Sequence, residues 1–281
     1  MNIKEVRNLL EKYNLNAKKN FGQNFLVDDN ILKKIAFSLK DKSYSGVIEI
    51  GPGLGSLTRY LVETYDQVLC YEIDTDMINV LSDTISKDNL MIKEGDFLKS
   101  DVSKDIEKYF KGDVCLIANL PYYITSPILL KLLEEVREIK DIVIMIQKEV
   151  AERFVAKPNT KDYNALSVLI QYFTKAEKLF DVSPSAFVPA PKVSSSVIHL
   201  CYKDEVVLKG EDLEFFLKFN RNIFKQRRKT LVNNVSASYS ISKEEAGNIL
   251  EQNGFSKTIR SEVLSVEEIV SLSQTFKVYL S

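Results

Sequence analysis

Residues 46–147 carry five short runs rich in β-branched residues: "GVIEIG" (46–51), "QVLCYEID" (67–74), "NLMIKEGD" (89–96), "DVCLIAN" (113–119) and "DIVIMIQ" (141–147). Each is short and nearly continuous in apolar character, as strands buried on both faces of a parallel sheet are. Amphipathic stretches precede and separate them. "DDNILKKIAFSL" opens on Asp28 and Asp29 as helix caps, and "SPILLKLLEEV" on Ser126 as cap with Pro127 at the first helical position. Strand and helix in alternation predict a parallel sheet covered on both faces. A chain of 281 residues with 45% apolar content has ample core for one large domain or two.

The rhythm changes after residue 147. "KEVAERFVA" and "ALSVLIQYF" read as helices, and "KAEKLFDV" and "SSVIHLCYK" as two late strands around the proline-rich joint "FVPAPKVSSS" (187–196). From about residue 205 the strands stop. "DLEFFLKFNRNIF", "RRKTLVNNV", "SKEEAGNILEQNGF" and "SVEEIVSLSQTF" are helical in period, with Gly254 placed as a helix stop. The expected division is an α/β domain over 1–204 and a small all-helical domain over 205–281.

Charge and rare residues exclude several classes. The net charge is −1, so any nucleic-acid surface must be local. The single histidine, His199, sits in the alternating run "SVIHLCY" with no metal-spaced partner, and no metal is expected. Cys70, Cys115 and Cys201 each lie in an apolar run without a CxxC pair, and read as buried small hydrophobes in a reducing compartment. No apolar run approaches the roughly 18 residues of a membrane span, and the charged stretch after Met1 is no signal peptide. A soluble, cytoplasmic protein is expected.

"EIGPGLGSLT" (49–58) follows the first strand and precedes a helix expected near Ser56. Gly51, Gly53 and Gly55 permit a sharp turn and close approach to a ligand, and the free N–H groups of the helix favour a negative group. Glu72, 21 residues after Gly51, ends the next strand, where an acid can accept both ribose hydroxyls. The layout suits a nucleoside-bearing cofactor. Its third glycine comes one residue early for the dinucleotide pattern G-x-G-x-x-G. Asp96 and Phe97 end the third run, as an adenine contact or as a helix cap with a core aromatic.

"NLPY" (119–122) ends the fourth strand at the same rim. With S-adenosylmethionine as methyl donor, the acceptor there can be the exocyclic amine of a base. Such an amine is a poor nucleophile because its lone pair is delocalised. The Asn119 side-chain oxygen and a backbone carbonyl held by Pro121 can draw its N–H bonds toward tetrahedral geometry, and Tyr122 can stack on the base. No general base is required, so catalysis is positioning plus aimed dipoles. A nicotinamide oxidoreductase, an adenine-N6 DNA methyltransferase and a non-enzymatic assembly factor are the alternatives.

"KKNFGQNFL" (18–26), "EIGPGLGSLT", "YEID" (71–74), "GDFL" (95–98), "NLPYYITSPIL" (119–129) and "FVPAPKVSSSV" (187–197) occur in this order. As a set they resemble the motifs of the ribosomal RNA adenine N6,N6-dimethyltransferases, across nearly the whole chain. The resemblance implies a class I S-adenosylmethionine-dependent methyltransferase fold: a Rossmann-like, seven-stranded, mostly parallel sheet with its last strand antiparallel, plus a small C-terminal all-helical domain. It implies S-adenosylmethionine contacts by Gln23, Asn24, Leu26, Gly51, Gly53, Glu72, Ile73, Asp96, Phe97 and Asn119. Catalysis would fall to Asn119, Pro121 and Tyr122, with Phe187 as a second ring. The implied substrate is a pair of adjacent adenosines in the 3′-terminal hairpin loop of 16S rRNA, in an immature 30S subunit. Pro52 and Leu120 favour the small-subunit group over the large-subunit, macrolide-resistance group. A monomer is expected.

"RNIFKQRRK" (221–229) holds Arg221, Lys225, Arg227, Arg228 and Lys229. On one helix, 221, 225 and 228 would share a face against phosphates, with Ile223 and Phe224 toward the core. Lys18 and Lys19 lie beside aromatics, a pairing that suits an unpaired RNA loop.

Overall fold

The computed structural model describes residues 1–15 and 23–280. The chain opens with α1 (Ile3–Lys12), β1 (Phe25–Leu26) and α2 (Asp29–Ala36). Strand and helix then alternate as β2 (Gly46–Ile50), α3 (Thr58–Thr64), β3 (Val68–Glu72), α4 (Thr75–Thr84), β4 (Leu90–Glu94), α5 (Val102–Tyr109), β5 (Val114–Asn119), α6 (Thr125–Glu135) and β6 (Ile139–Gln147). Next come α7 (Lys148–Phe154), α8 (Ala165–Phe173), β7 (Thr174–Val182), β8 (Phe187–Val188) and β9 (Ser195–Tyr202). Four helices close the chain: α9 (Gly210–Ile223), α10 (Leu231–Tyr239), α11 (Lys243–Gln252) and α12 (Val266–Leu280).

The five β-branched runs form β2 to β6, each in parallel register with its neighbours. The seven-stranded sheet has the order β4-β3-β2-β5-β6-β9-β7, and β9 is antiparallel to β6. β2 is an interior strand and wholly buried, with Val47 opposite Val68 on one side and Cys115 on the other. The edge strand β4 is only half-buried. The winding reverses between β2 and β5, and open α/β sheets bind ligands at the strand carboxyl ends of such a switch point. A separate two-stranded ribbon pairs β1 with β8, setting Leu26 opposite Phe187.

The chain divides into two compact units, Met1–Ala151 with Glu177–Tyr202, and Glu152–Ala176 with Lys203–Ser281. The boundary expected at 204/205 therefore misses an excursion: residues 152–176 belong to the helical unit. α8 explains this, because it is apolar on nearly every side and needs helical partners. It finds one in α9, where Tyr172 packs on Phe216 at 4.6 Å between ring centroids and Asn220 Nδ2 donates to the Ala165 carbonyl at 2.9 Å.

Three local expectations are corrected. α6 starts at Thr125, so Ser126 lies inside it and Pro127 at its third position. A 3₁₀ turn at Tyr122–Ile124 already sets the chain in a helical sense, and no side chain caps the start. The basic run is not one helix: α9 ends at Ile223, and Thr230 caps α10 through the Asn233 N–H. The Ile223 carbonyl accepts from Asn234 Nδ2 at 2.8 Å and Ser261 Oγ at 2.6 Å, which ends the helix there. Arg221, Lys225 and Arg228 thus do not share a helical face, although Lys225, Arg227, Arg228 and Lys229 are exposed on the connecting turn. Ile223 is buried and Phe224 is half-buried, edge-on to Tyr163. Finally, Cys70 and Cys115 are buried, but Cys201, near the end of β9, is only partly so.

His199 has a structural partner. Asp141 of β6 is 2% exposed and accepts from His199 Nε2, from Tyr44 Oη and from Lys42 Nζ, the last at 2.7 Å. Burial alone would raise the Asp141 pKa, but these hydrogen bonds outweigh it and hold the carboxyl well below its usual range. A lowered folded pKa adds stability above the unfolded value of about 3.9, and that stability is lost as pH falls below it. Asp141→Asn should lower unfolding free energy by about 3 kcal/mol at pH 7, and the deficit should shrink as pH drops below about 4. Urea titrations at several pH values check both.

Candidate active site

The glycine loop departs from a phosphate-binding loop in how it spends its N–H groups. Gly51 N–H donates to the Tyr71 carbonyl at 2.9 Å, Gly53 N–H to Glu72 Oε2 at 3.1 Å, and Gly55 N–H to the Pro52 carbonyl at 3.0 Å. None of the three is left for an anion. α3 also begins at Thr58, not Ser56, and has no capping side chain; Thr58 Oγ1 instead donates to Glu49 Oε2 at 2.7 Å. The three glycine N–H groups on which an anion contact was expected are therefore spent within the protein.

What it builds is shape. Gly51 has φ +66°, and a Cβ there would lie 3.7 Å from the Pro121 ring. At Gly55, φ is +79° and a Cβ would come within 2.6 Å of Leu81 Cδ1, so only glycine fits.

Glu72 is 6% exposed. Oε1 accepts the Ile73 and Asp74 N–H groups at 2.9 and 3.0 Å, while Oε2 takes Gly53. Burial raises its pKa, and these three donors oppose the rise. Asp74 in turn caps α4 and accepts from Gln23 Nε2 at 3.0 Å. Asp96 Oδ1 caps the short 3₁₀ turn Phe97–Lys99 through the Leu98 N–H at 2.9 Å. Phe97 is buried edge-on to Tyr71. Both readings of this pair therefore coexist, since cap and core aromatic stand on the cavity wall.

Asn119 is the last residue of β5, and the Leu120 N–H donates to the Met145 carbonyl at 3.1 Å. Among the described residues, no partner engages the Asn119 side-chain amide. The Pro121 carbonyl accepts from the Ile124 N–H and from Thr125 Oγ1, at 3.2 and 3.1 Å. No described donor reaches the Leu120 carbonyl, which the Pro121 ring follows. Tyr122 Oη shares a hydrogen bond of 2.7 Å with Ser195 Oγ, and Phe187 is buried opposite Leu26.

These residues enclose one cavity of about 340 Å³. Gln23, Asn24, Leu26, Gly51, Gly53, Glu72, Ile73, Asp96, Phe97, Asn119, Pro121, Tyr122 and Phe187 all line it. Its charged lining is one-signed: Glu49, Glu72 and Asp96, with no lysine, arginine or histidine among the described residues. Lys18 and Lys19 lie outside the described residues. Arg221 and the cations at 225–229 belong to the second unit. Among the described residues, no group of three or more His, Cys, Asp or Glu is arranged to hold a metal, and no helix is long and apolar enough to cross a membrane.

The model of the ribosomal RNA adenine dimethylase family matches residues 14–276. The chain belongs to that family. It is 42% identical to the Ribosomal RNA small subunit methyltransferase A of Geobacillus sp. (strain WCH70) over 97% of this chain and 96% of the relative. The same-named Bacillus pumilus (strain SAFR-032) protein is 43% identical over 97% and 95%. A crystal structure of a dimethyladenosine transferase from Plasmodium falciparum superposes with a TM-score of 0.77 at 29% identity, covering 90% of this chain and 98% of that one. The 23S rRNA methyltransferase ErmE gives 0.66 at 25% identity, over 90% and 100%. The adenine dimethylase fold thus accounts for the sheet order and the antiparallel last strand.

Two wall residues were not singled out in the sequence. Tyr123 hides behind Tyr122 in "NLPYYIT". Glu49 is an acid inside the apolar run "GVIEIG", an interruption that is itself a signal. It is 2% exposed, and only neutral groups, Thr58 and Cys70, donate to it. Burial pushes its carboxyl up to about 8, more than the Thr58 and Cys70 hydrogen bonds offset. The unfolded chain sheds this proton near 4.5 and the folded one near 8, so stability falls as pH rises between them. The slope is at most about 1.4 kcal/mol per pH unit. Glu49→Gln, always neutral, should gain stability relative to wild type from pH 5 to pH 8 in ligand-free urea titrations. A difference that ignores pH would mean that Glu49 is ionised in the fold.

Proposed function

We propose that this protein transfers methyl groups from S-adenosylmethionine to N6 of two adjacent adenosines in the 3′-terminal hairpin loop of 16S rRNA, during cytoplasmic maturation of the small subunit. The observation that carries the cofactor assignment is the cavity's electrostatics. Two carboxylates, Glu72 and Asp96, no cation among the described lining residues and three glycine N–H groups spent internally favour a cationic ligand over the pyrophosphate of a dinucleotide. The small-subunit assignment is supported by relatives of that name at 42–43% identity over nearly the full chain.

The residues present fit S-adenosylmethionine. Glu72, its carboxylate oriented by three N–H groups, retains acceptor capacity for ribose hydroxyls, and Asp96 Oδ2 is unengaged by described donors and suits an adenine amine. When bound, the cofactor supplies an activated methyl on a positive sulfur. Asn119 Oδ1 and the Leu120 carbonyl then accept the two N–H bonds of the target amine, drawing its lone pair out of the ring. This refines the sequence expectation, because Pro121's own carbonyl is already occupied. Tyr122 presents its ring to the flipped base while Ser195 fixes its hydroxyl. The proton leaves to solvent as alkylation acidifies the nitrogen.

Incubation of labelled cofactor with unmethylated small subunits, followed by mapping of modified bases, tests the assignment. With small and large subunits offered together, label confined to large-subunit RNA would overturn it. Asn119→Ala should lower turnover by about 10²–10³-fold and leave cofactor affinity within about twofold. The exposed turn at 225–229 is the proposed phosphate contact of the helical unit. Arg228→Ala should weaken RNA binding at all sequences and reduce the slope of log affinity against log salt by about one. An unchanged slope would remove this residue from the contact surface.

A further inference from the structure

The cavity mouth carries a second aromatic whose situation is opposite to that of Tyr122. Tyr122 and Tyr123 occupy successive positions of the 3₁₀ turn, where neighbouring side chains diverge by about a third of a turn. Tyr122 is directed toward β9, where Ser195 holds its hydroxyl. Tyr123 is 54% exposed, yet it lines the cavity. Its hydroxyl stands in the field of Asp96 and Glu72, the two acids assigned to the adenosine half of the cofactor: desolvation raises the Tyr123 pKa first, and those two carboxylates raise it further. A tyrosine with no role at a ligand would turn its hydroxyl to water and its ring to the protein. Here more than half of the residue is exposed, and its hydroxyl is close enough to Asp96 and Glu72 to feel both charges.

Ile73 makes the arrangement two-sided. It is 49% exposed, lines the same cavity and follows Glu72 directly. Two large, half-exposed side chains on the wall of one cavity bury their remaining surface when a ligand fills it. The ring gains most from that, since aromatic stacking on a base is worth about a five- to hundredfold change in affinity.

We infer that Tyr123 is a cofactor-covering residue, whose ring packs with Ile73 on the adenosine half of S-adenosylmethionine and so sets affinity for the nucleoside without touching the target base. The inference rests on the S-adenosylmethionine reading of the cavity. It divides the paired tyrosines of the turn by task, Tyr122 to the RNA base and Tyr123 to the cofactor. Its contribution is the ring and not the hydroxyl, because stacking on a base uses the ring face, and the open acceptor sites of Glu72 and Asp96 are those assigned to the ribose and the adenine amine.

The chain contains no tryptophan. Tyr123→Trp therefore installs a single indole fluorophore at the cavity mouth. Its emission should change on adding S-adenosylmethionine or its demethylated product, saturably, and stay unchanged on adding adenosine-free RNA oligomers. Calorimetry supplies the second arm. Tyr123→Ala should raise Kd for both cofactor forms about tenfold, with kcat at saturating cofactor and the KM for small subunits within about twofold. Tyr123→Phe should bind the cofactor within about twofold of wild type. Unchanged cofactor affinity in Tyr123→Ala, or a raised KM for small subunits with cofactor binding intact, would overturn the assignment; the latter would make Tyr123 a base-stacking residue. Failure of the S-adenosylmethionine reading itself is seen separately, as wild-type protein that does not bind the cofactor in the same calorimeter.

Discussion

The Glu72 carboxylate gathers three backbone N–H groups from two directions, and the geometry of the cavity depends on that knot. Gly53 reaches it from the glycine loop, and Ile73 and Asp74 from the chain that has just left β3. Two parallel strands are in contact through the ladder alone, which says nothing about what happens beyond their ends. The carboxylate extends the connection past the ladder and fixes the loop against the start of α4. It does so by taking an N–H that a phosphate-binding loop would keep free. The same bond that orients the acid therefore withdraws the Gly53 N–H from any anion at the loop.

The other half of the rim is set by a backbone constraint. Gly51 lies beside the Pro121 ring with φ +66°, a conformation that L side chains rarely adopt. β2 and β5 are parallel neighbours on either side of the winding reversal, so the chain leaving each strand emerges at the same edge. Pro121 cannot donate, and it fixes the backbone just past Asn119 and Leu120. Two acceptors are thereby displayed at a strand end without a hydrogen-bond donor among the described residues. An unpaired amide beside an unpaired carbonyl is costly to bury, and it persists here at a cavity wall where a ligand can supply the missing donors.

The sheet was legible because burial on both faces leaves little freedom: β2 to β6 follow from short apolar runs, with ends within about two residues. The cavity residues were legible where chemistry requires a particular side chain at a strand end, as at Glu72, Asp96 and Asn119. Three things were not legible, each for a physical reason. The start of α6 was misplaced because a preceding turn can prime a helix without a capping side chain, leaving Ser126 as a false signal. The basic run was read as helical because periodicity cannot see that Asn234 and Ser261, 11 and 38 residues further on, seal the carbonyl of Ile223. Residues 152–176 were assigned to the α/β domain because sequence order resembles spatial order only until a helix such as α8, apolar on nearly every side, needs partners from elsewhere in the chain. The resemblance of the motif set to the adenine dimethylases covered the whole chain, but it carries no information on which N–H groups are spent or which carbonyl is open.

A pair of fixed acceptors is well matched to a reaction that runs twice on one nitrogen. A general base must lose its proton between rounds. An acceptor pair has nothing to reset: the first transfer replaces one N–H by a methyl, and the remaining N–H still finds either Asn119 Oδ1 or the Leu120 carbonyl. The acid-lined wall works in the same direction. Glu72 and Asp96 favour a ligand with an extra positive charge, and that charge is lost on methyl transfer. On the proposed reading, exchange of spent for fresh cofactor is favoured by electrostatics, while Tyr122, whose hydroxyl is tied to Ser195, would keep its hold on the base. Separating the two anchor points, one on β9 and one at the ends of β3 and β4, is what allows one partner to turn over while the other stays.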